Sequence, residues 1–563
     1  MNFNDYKYDR PDVEQFKKNM DEQLRLIGDG KDLKGEIKAV YAVFELQDKI
    51  DSMAQLVGIR NSVDTKDKFY EAEQDFFDEN GPHIQEANQN FINALLDSPN
   101  RESLVKEFGT YIFVKFEVAK KTFNPTIIPE LQEENKLSTE YGKLLASAEI
   151  EFQGGTYNLS QMRPFTTHVD REVRHSAQLV VSKWFEENEA EIDRIYDEMV
   201  KLRTSIAKKL GYENFVQLAY DRLGRTDYTS KEVKGYRDQV FETVVPYVAK
   251  LVERKATRLG IEDLKSYDLA LSFLTGNPTP KGDSTWQVNH AKEMYEDMSS
   301  ETGEFINFMI DHELLELDAK PGKQGGGYCT FIPEYDSPFI FANFNGTSGD
   351  VDVLTHEAGH AFQVYQSQKL IPEYRWPGYE GAEVHSMSME FLAWPWIHKF
   401  FEEDTDKYKF NHLAGALSFL PYGVAVDEFQ HGIYENPNLS KEERKTLWRE
   451  VEKKYLPFKD YDDDSFLEKG TFWFRQGHIF GVPFYYIDYT LAQVVAFQYW
   501  IKAQADHPKA FEQYLALCKL GGSKSFVALL ESAKLDNPFN DGVIAETMKP
   551  LIKFLDNIDD KKL

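Results

Sequence analysis

Cysteine is nearly absent from this sequence: Cys329 and Cys518 are the only two in 563 residues. That scarcity excludes a disulfide framework and a cysteine-ligated metal, and it suits a reducing compartment. Positive charge is also short, with 65 basic residues against 94 acidic ones and a formal net charge of −29. No basic patch offsets this, which argues against nucleic acid and anionic membrane surfaces as partners. Residues Met1–Arg10 have neither the basic start nor the apolar run of a signal peptide, so a cytoplasmic location is expected. Long uncharged apolar runs are missing too. The nearest approach, Gly481–Ile501, contains Pro483, Asp488, Gln493 and Gln498 and reads as a buried helix rather than a membrane span.

What is present is ample material for a core. Hydrophobic residues make up 42% of the chain and aromatics 14%, and the length calls for two or more lobes. Apolar residues recur at helical spacing over Val13–Ile27, Leu33–Leu56, Phe69–Leu96 and Pro129–Ser147, with few breakers between, which predicts a lobe of antiparallel helices. The monotony breaks at Ile150–Leu159, where alternating residues around Gly154-Gly155 predict a hairpin. Helical pattern returns near Asp170. A glycine-rich loop, Gly322–Cys329, then leads to short predicted strands over Phe331–Pro333 and Pro338–Phe344. That loop has neither the order nor the following helix of a phosphate cradle. A strand at this place would offer its edge to an extended peptide, with Asn343 and Gly325–Gly327 as substrate contacts.

Only 13 histidines occur, yet His356-Glu357-Ala-Gly-His360 brings two together within a helical pattern. Val351, Leu354, Ala358, Ala361, Phe362 and Tyr365 form its apolar stripe, and Thr347 and Asp350 have the spacing of a capping box. On such a helix His356 and His360 share one face, so both imidazoles can bind one metal ion. Glu357, beside the first, is placed to take a proton from a metal-bound water. A catalytic site takes three protein ligands and one open position. Glu373, Glu380, Glu383 and Glu390 are the downstream carboxylates. Glu380 has a familiar spacing from His360 but sits between Gly378 and Gly381 in an expected turn. Glu383 begins a helical run that also carries Met387 and Glu390 on one face. There Glu383 serves as the third ligand and Glu390 as the acceptor for a ligand imidazole. His385 is a fourth donor or a substrate contact, or else a hydrogen-bonded structural histidine.

Three motifs in order, His356–His360, Gly381–Phe391 and His478–Tyr489, resemble the thimet oligopeptidase/oligoendopeptidase F family of zinc peptidases, and its oligoendopeptidase F branch in particular. The resemblance covers roughly residues 150–550. It implies a mainly α, two-lobed helical, zincin-like metallopeptidase with a deep substrate channel and a small β element near the metal helix. Carried over residue by residue, it implies one zinc ion held by His356, His360 and Glu383, Glu357 as the catalytic carboxylate, and Glu390 behind the ligands. It further implies that His478 and Tyr489, with Tyr485, stabilise the oxyanion; Tyr486, a member of the same donor set, is expected as a substrate contact. In the thimet-type branch a tyrosine stands between the histidine and the tyrosine pair, where this chain has Gly481-Val-Pro-Phe484. The resemblance therefore leaves open which tyrosine acts.

The expected organisation is a helical lobe over 1–149 and a catalytic region over 150–563. Within the latter lie a metal helix at 348–367, a second ligand helix at 382–400 and a His/Tyr segment at 478–501. The expected reaction is endoproteolysis of short peptides. A zinc carboxypeptidase or dipeptidase is the rival among enzymes, and a non-catalytic peptide-binding protein is the rival outside them.

Overall fold

The computed structural model describes all residues, 1–563, and is built almost wholly of helices. Four long helices open the chain, at Val13–Asp29, Leu33–Val63, Lys68–Leu96 and, after two shorter ones, Ile128–Ala146. Asp12, Asp32 and Asp67 cap the first three, each carboxylate accepting a backbone N–H of the first turn. The shorter helices, Arg101–Phe108 and Thr110–Ala119, carry too few turns for their periodicity to stand out in the sequence.

Two hydrophobic cores result. The smaller is built from residues between Val13 and Phe116, joined only by Tyr374 from elsewhere. The larger takes in the rest, including Leu56 and Ile59 of the second helix and Ile128, Leu131, Leu137 and Tyr141 of the helix ending at Ala146. The division between the cores therefore does not fall at residue 149.

Five strands interrupt the helices. The hairpin pairs β1, Ile150–Phe152, with β2, Gly155–Tyr157. Its turn residues are Gln153 and Gly154, both at positive φ (47° and 84°), one position earlier than expected. A two-residue hairpin turn of this kind needs positive φ at both central positions, and Gly155 instead opens the second strand. The other three strands, β3 (Leu315–Asp318), β4 (Tyr328–Ile332) and β5 (Ser337–Phe344), form one sheet in the order β3-β5-β4. The strand carrying Asn343 is thus central and has no free edge; β4 is the strand beside the glycine-rich loop.

Three helices of the larger core carry the motifs: a motif helix, Gly349–Ser367; a carboxylate helix, Tyr379–Leu392; and a tyrosine helix, Ile487–Ala505. The tyrosine helix is buried over most of its length, which accounts for its membrane-like composition. No helix is long and apolar enough to cross a membrane.

Candidate active site

The motif helix starts at Gly349 without a side-chain cap, and the expected Thr347–Asp350 box does not form. Asp350 instead reaches back across the turn, accepting the N–H groups of Asn345 (2.9 Å) and Gly346 (2.8 Å). This ties the end of β5 to the helix and aims the histidine face at a large cavity. Val351, Leu354, Ala358, Ala361 and Phe362 are buried behind it.

The carboxylate helix begins at Tyr379, three residues earlier than expected, and stops at Leu392 because Pro395 follows. Its approach to the motif helix depends on Gly359 inside the His-Glu-Ala-Gly-His motif. A Cβ there would stand 2.6 Å from Ser386 Cα and 2.7 Å from the His385 carbonyl oxygen. The close crossing brings one oxygen, Glu383 Oε2, to 3.1 Å from His356 Nε2 and 3.3 Å from His360 Nε2. The ligand atoms of these three residues all lie within 4.8 Å of one another.

The surrounding hydrogen bonds fix how the donors point. His356 Nδ1 bonds to Glu390 Oε1 at 2.8 Å, which turns Nε2 toward the centre. The other oxygen of Glu390 accepts from His412 Nε2 at 2.8 Å, and the Trp394 indole donates to His412 Nδ1 at 3.0 Å. Ser386 Oγ and Tyr485 Oη both donate to Glu383. Burial works against charge on His356, but its bonds to Glu383 and Glu390 outweigh this and hold its pKa well above the ordinary value. Burial pushes the Glu357 carboxyl up, with His356 and His360 pulling the other way, and Glu357 Oε2 has no hydrogen-bond partner. Three carboxylates, Glu357, Glu383 and Glu390, are thus held out of bulk water beside two imidazoles. Two histidine nitrogens and a carboxylate oxygen converging there suit a divalent cation.

A third wall carries His478. It lies on the short helix Gly477–Gly481, whose last carbonyls, Ile479 and Phe480, accept from the buried Arg203 guanidinium. Arg203 is neutralised by Glu134 at 2.7 Å. The Gln476 amide donates to His478 Nδ1 (2.7 Å) while its carbonyl accepts from Tyr422 (2.7 Å), so the imidazole proton belongs on Nε2. That nitrogen lies 3.1 Å from Tyr489 Oη. Burial lowers the His478 pKa to about 4, with Glu383 opposing, and the ring is neutral near pH 7. The chain then turns through Phe484 at φ 66°, a left-handed conformation rare for this residue type. The Gln430 carbonyl at the Phe484 N–H (2.8 Å) and Arg225 at its carbonyl (2.6 Å) hold it there. This bend sets Tyr485 and Tyr489 beside the cavity.

The cavity, about 1820 Å³, is lined by His356, Glu357, His360, Glu383, His478, Tyr485, Tyr489 and Asn343 among others. Two expected substrate contacts are not on its wall. His385 is fully buried, with Nδ1 bonded to the Gly381 carbonyl at 2.7 Å and its ring against Tyr514. Tyr486 packs its ring on Phe419 and Tyr422, behind His478. Asn343 does reach the cavity, but its amide donates to the Gln324 and Gly326 carbonyls, both at 2.8 Å, and so shapes the glycine-rich loop. Glu380, the competing ligand, is buried off the cavity wall, where burial pushes its carboxyl up against the pull of the Arg225 charge. The sequence reading missed His412, Gln476 and Tyr422. No short motif marks them: His412 and Tyr422 act through tertiary contacts, and Gln476 stands two residues before His478, just outside the motif.

Histidine and carboxylate donors on crossing helices, a free glutamate beside them and a large channel define a helical metallopeptidase. The peptidase M3 N-terminal domain matches residues 3–123, and peptidase family M3 matches residues 293–549. The chain belongs to peptidase family M3, and it is a metallo-endopeptidase. PZ peptidase A, solved with an inhibitor, is 49% identical over 99% of this chain and 100% of that one, with a TM-score of 0.99. An oligoendopeptidase F structure from Bacillus anthracis is 50% identical over 100% of this chain and 99% of that one, with a TM-score of 0.94. The oligoendopeptidase F homolog of Borreliella burgdorferi is 26% identical over 432 residues, covering 70% of this chain and 69% of that protein.

Proposed function

We propose that the protein is a zinc-dependent endo-oligopeptidase that hydrolyses internal bonds of short peptides, with His356, His360 and Glu383 holding one zinc ion. The observation that carries this is the meeting of His356 Nε2 and His360 Nε2 at one oxygen of Glu383, beside Glu357 on the wall of a peptide-sized cavity. Zinc bound there supplies Lewis acidity, which acidifies water and polarises the scissile carbonyl.

The chain's own residues do the rest. Glu357, with one oxygen unpartnered, takes the proton from the attacking water and delivers it to the departing amine. His478 donates from Nε2, and Tyr489 from its hydroxyl, to the negative charge developing on the carbonyl oxygen. Tyr485 is committed to Glu383 and orients that ligand, which favours Tyr489 as the oxyanion donor. Glu390, buttressed by His412, keeps His356 in the ligating tautomer. A cavity of about 1820 Å³ has room for an extended chain of several residues and not for a folded domain, which supports short peptides as substrates.

Mass spectrometry of products from a mixed peptide library tests this. Internal cleavage of peptides blocked at both ends, by protein with about one zinc per chain, is the expected result. Cleavage confined to free termini, or none in the zinc-loaded protein, rules it out.

A further inference from the structure

The cavity reverses the charge balance of the chain. Eight lysines and arginines line it, against four acidic residues, Asp350, Glu357, Glu373 and Glu383, although the whole chain has 65 basic residues to 94 acidic ones. All four acids are already engaged. Glu357 and Glu383 belong to the metal site, Asp350 accepts two backbone N–H groups, and Glu373 lies 3.7 Å from Lys115. Positive charge on this wall therefore exceeds what the wall itself neutralises.

Arg475 is a part of that excess which lies close to the catalytic histidine segment. It sits three residues before His478, on the turn Phe472–Arg475, and lines the cavity. Its guanidinium lies over the Phe472 ring at 4.4 Å and the Phe185 ring at 5.1 Å. It makes no ion pair and no side-chain hydrogen bond, unlike the buried Arg203, Arg225 and Arg237, each paired with a carboxylate. The acids that shape its field are spoken for. Asp464 accepts from Ser182 (2.6 Å) and from the Leu467 N–H, and Glu452 accepts from Tyr461 (2.6 Å) and Lys459 (2.9 Å). Burial lowers its pKa from the usual guanidinium value. A guanidinium removed from water, with a planar fork unfilled and aromatic faces bracing it, is built to receive a carboxylate in bidentate fashion.

We infer that Arg475 is a specificity-determining residue that binds a carboxylate of the peptide, from its C terminus or from an acidic side chain. The inference rests on the reading of this cavity as the peptide channel. An anchor at a fixed place relative to His478 also sets how many residues separate the bound carboxylate from the cleaved bond. Substrate selection by length then follows from the wall rather than from the metal.

The test uses peptides of one sequence, ending either in the free acid or in the amide, and a third set with Glu or Asp changed to Gln or Asn. Wild type, R475Q and R475K are compared, each with its melting temperature recorded. In wild type, removing the recognised carboxylate raises KM about tenfold or more, and in R475Q the ratio between the paired peptides falls to near one. R475K keeps part of it. A response to amidation assigns the C terminus; a response to side-chain replacement assigns the acidic residue. The ratio is taken within one preparation, so partial misfolding does not alter it. No discrimination in wild type, or the full ratio in R475Q, overturns the inference. Binding of the same peptides to Glu357→Gln protein separates the two proposals. Discrimination without turnover in wild type removes the peptidase reading and keeps the Arg475 site; turnover without discrimination does the reverse.

Discussion

Glu390 Oε1 lies 2.8 Å from Nδ1 of His356, a residue 34 positions earlier on a different helix. With His412 at its other oxygen, Glu390 is a hub that fixes the orientation of His356. Glu390→Ala should weaken zinc binding by about 10–100-fold, while Glu390→Gln should retain part of the affinity. Competition with a chromophoric chelator measures it, and unchanged affinity in the alanine variant would remove the hub role. In wild type, chelation should abolish turnover and lower the melting temperature, and zinc should restore both.

Glu357→Gln should keep about one zinc per chain and lose several orders of magnitude in kcat. Metal analysis on the protein used for kinetics separates loss of the proton carrier from loss of the ion. Turnover within about tenfold of wild type would falsify the assigned role.

Gly359→Ala places a methyl group against the backbone of Ser386 and His385. Neither can yield without separating the two ligand helices. A loss of about 1–3 kcal/mol is expected in denaturant unfolding, together with weaker zinc binding. Wild-type stability and affinity would mean that the helices cross less tightly than the structure has them.

Gln476→Glu replaces the donor at His478 Nδ1 with an acceptor, which draws the proton from Nε2 to Nδ1. We expect kcat to fall about 10–100-fold with KM little changed, because the lost donor serves the transition state. Tyr422→Phe should have a smaller effect. Equal changes in kcat and KM would point to altered substrate binding instead.

His478 also ties stability to pH. Its folded pKa, lowered to about 4, is below the value of about 6.5 for an unfolded histidine. The unfolded chain therefore binds the extra proton first. The contribution is fully present above about pH 6.5 and is lost as pH falls toward about 4. His478→Gln should accordingly show a shallower decline of melting temperature over that window than wild type. Parallel declines would exclude His478 as a source.

Much of the helical lobe was legible because its helices are long. Val13–Asp29, Leu33–Val63 and Lys68–Leu96 repeat the apolar period over many turns and start at aspartate caps. Strand β3 escaped notice, since four residues carry too little pattern. The hairpin turn was displaced by one residue because two adjacent glycines both satisfy a turn, and only strand register chooses between them. The motif helix and its two histidines could be read from spacing, which is a local property of helical geometry. Glu383 was preferred to Glu380 from helical phase, and the fold supplies the reason they part: Glu380 is buried off the cavity wall while both histidines meet Glu383.

The sequence by itself determined a helical chain with too few cysteines for disulfides and a two-histidine, one-glutamate motif on a helix. These follow from composition and local periodicity. Only the tertiary structure decided that Asn343 shapes a loop and His385 is buried, that Tyr485 binds Glu383 while Tyr489 meets His478, and that Arg475 stands unpaired on the cavity wall. These outcomes depend on which distant parts of the chain pack around each side chain, and helix crossing and chain reversal determine that, not spacing along the chain.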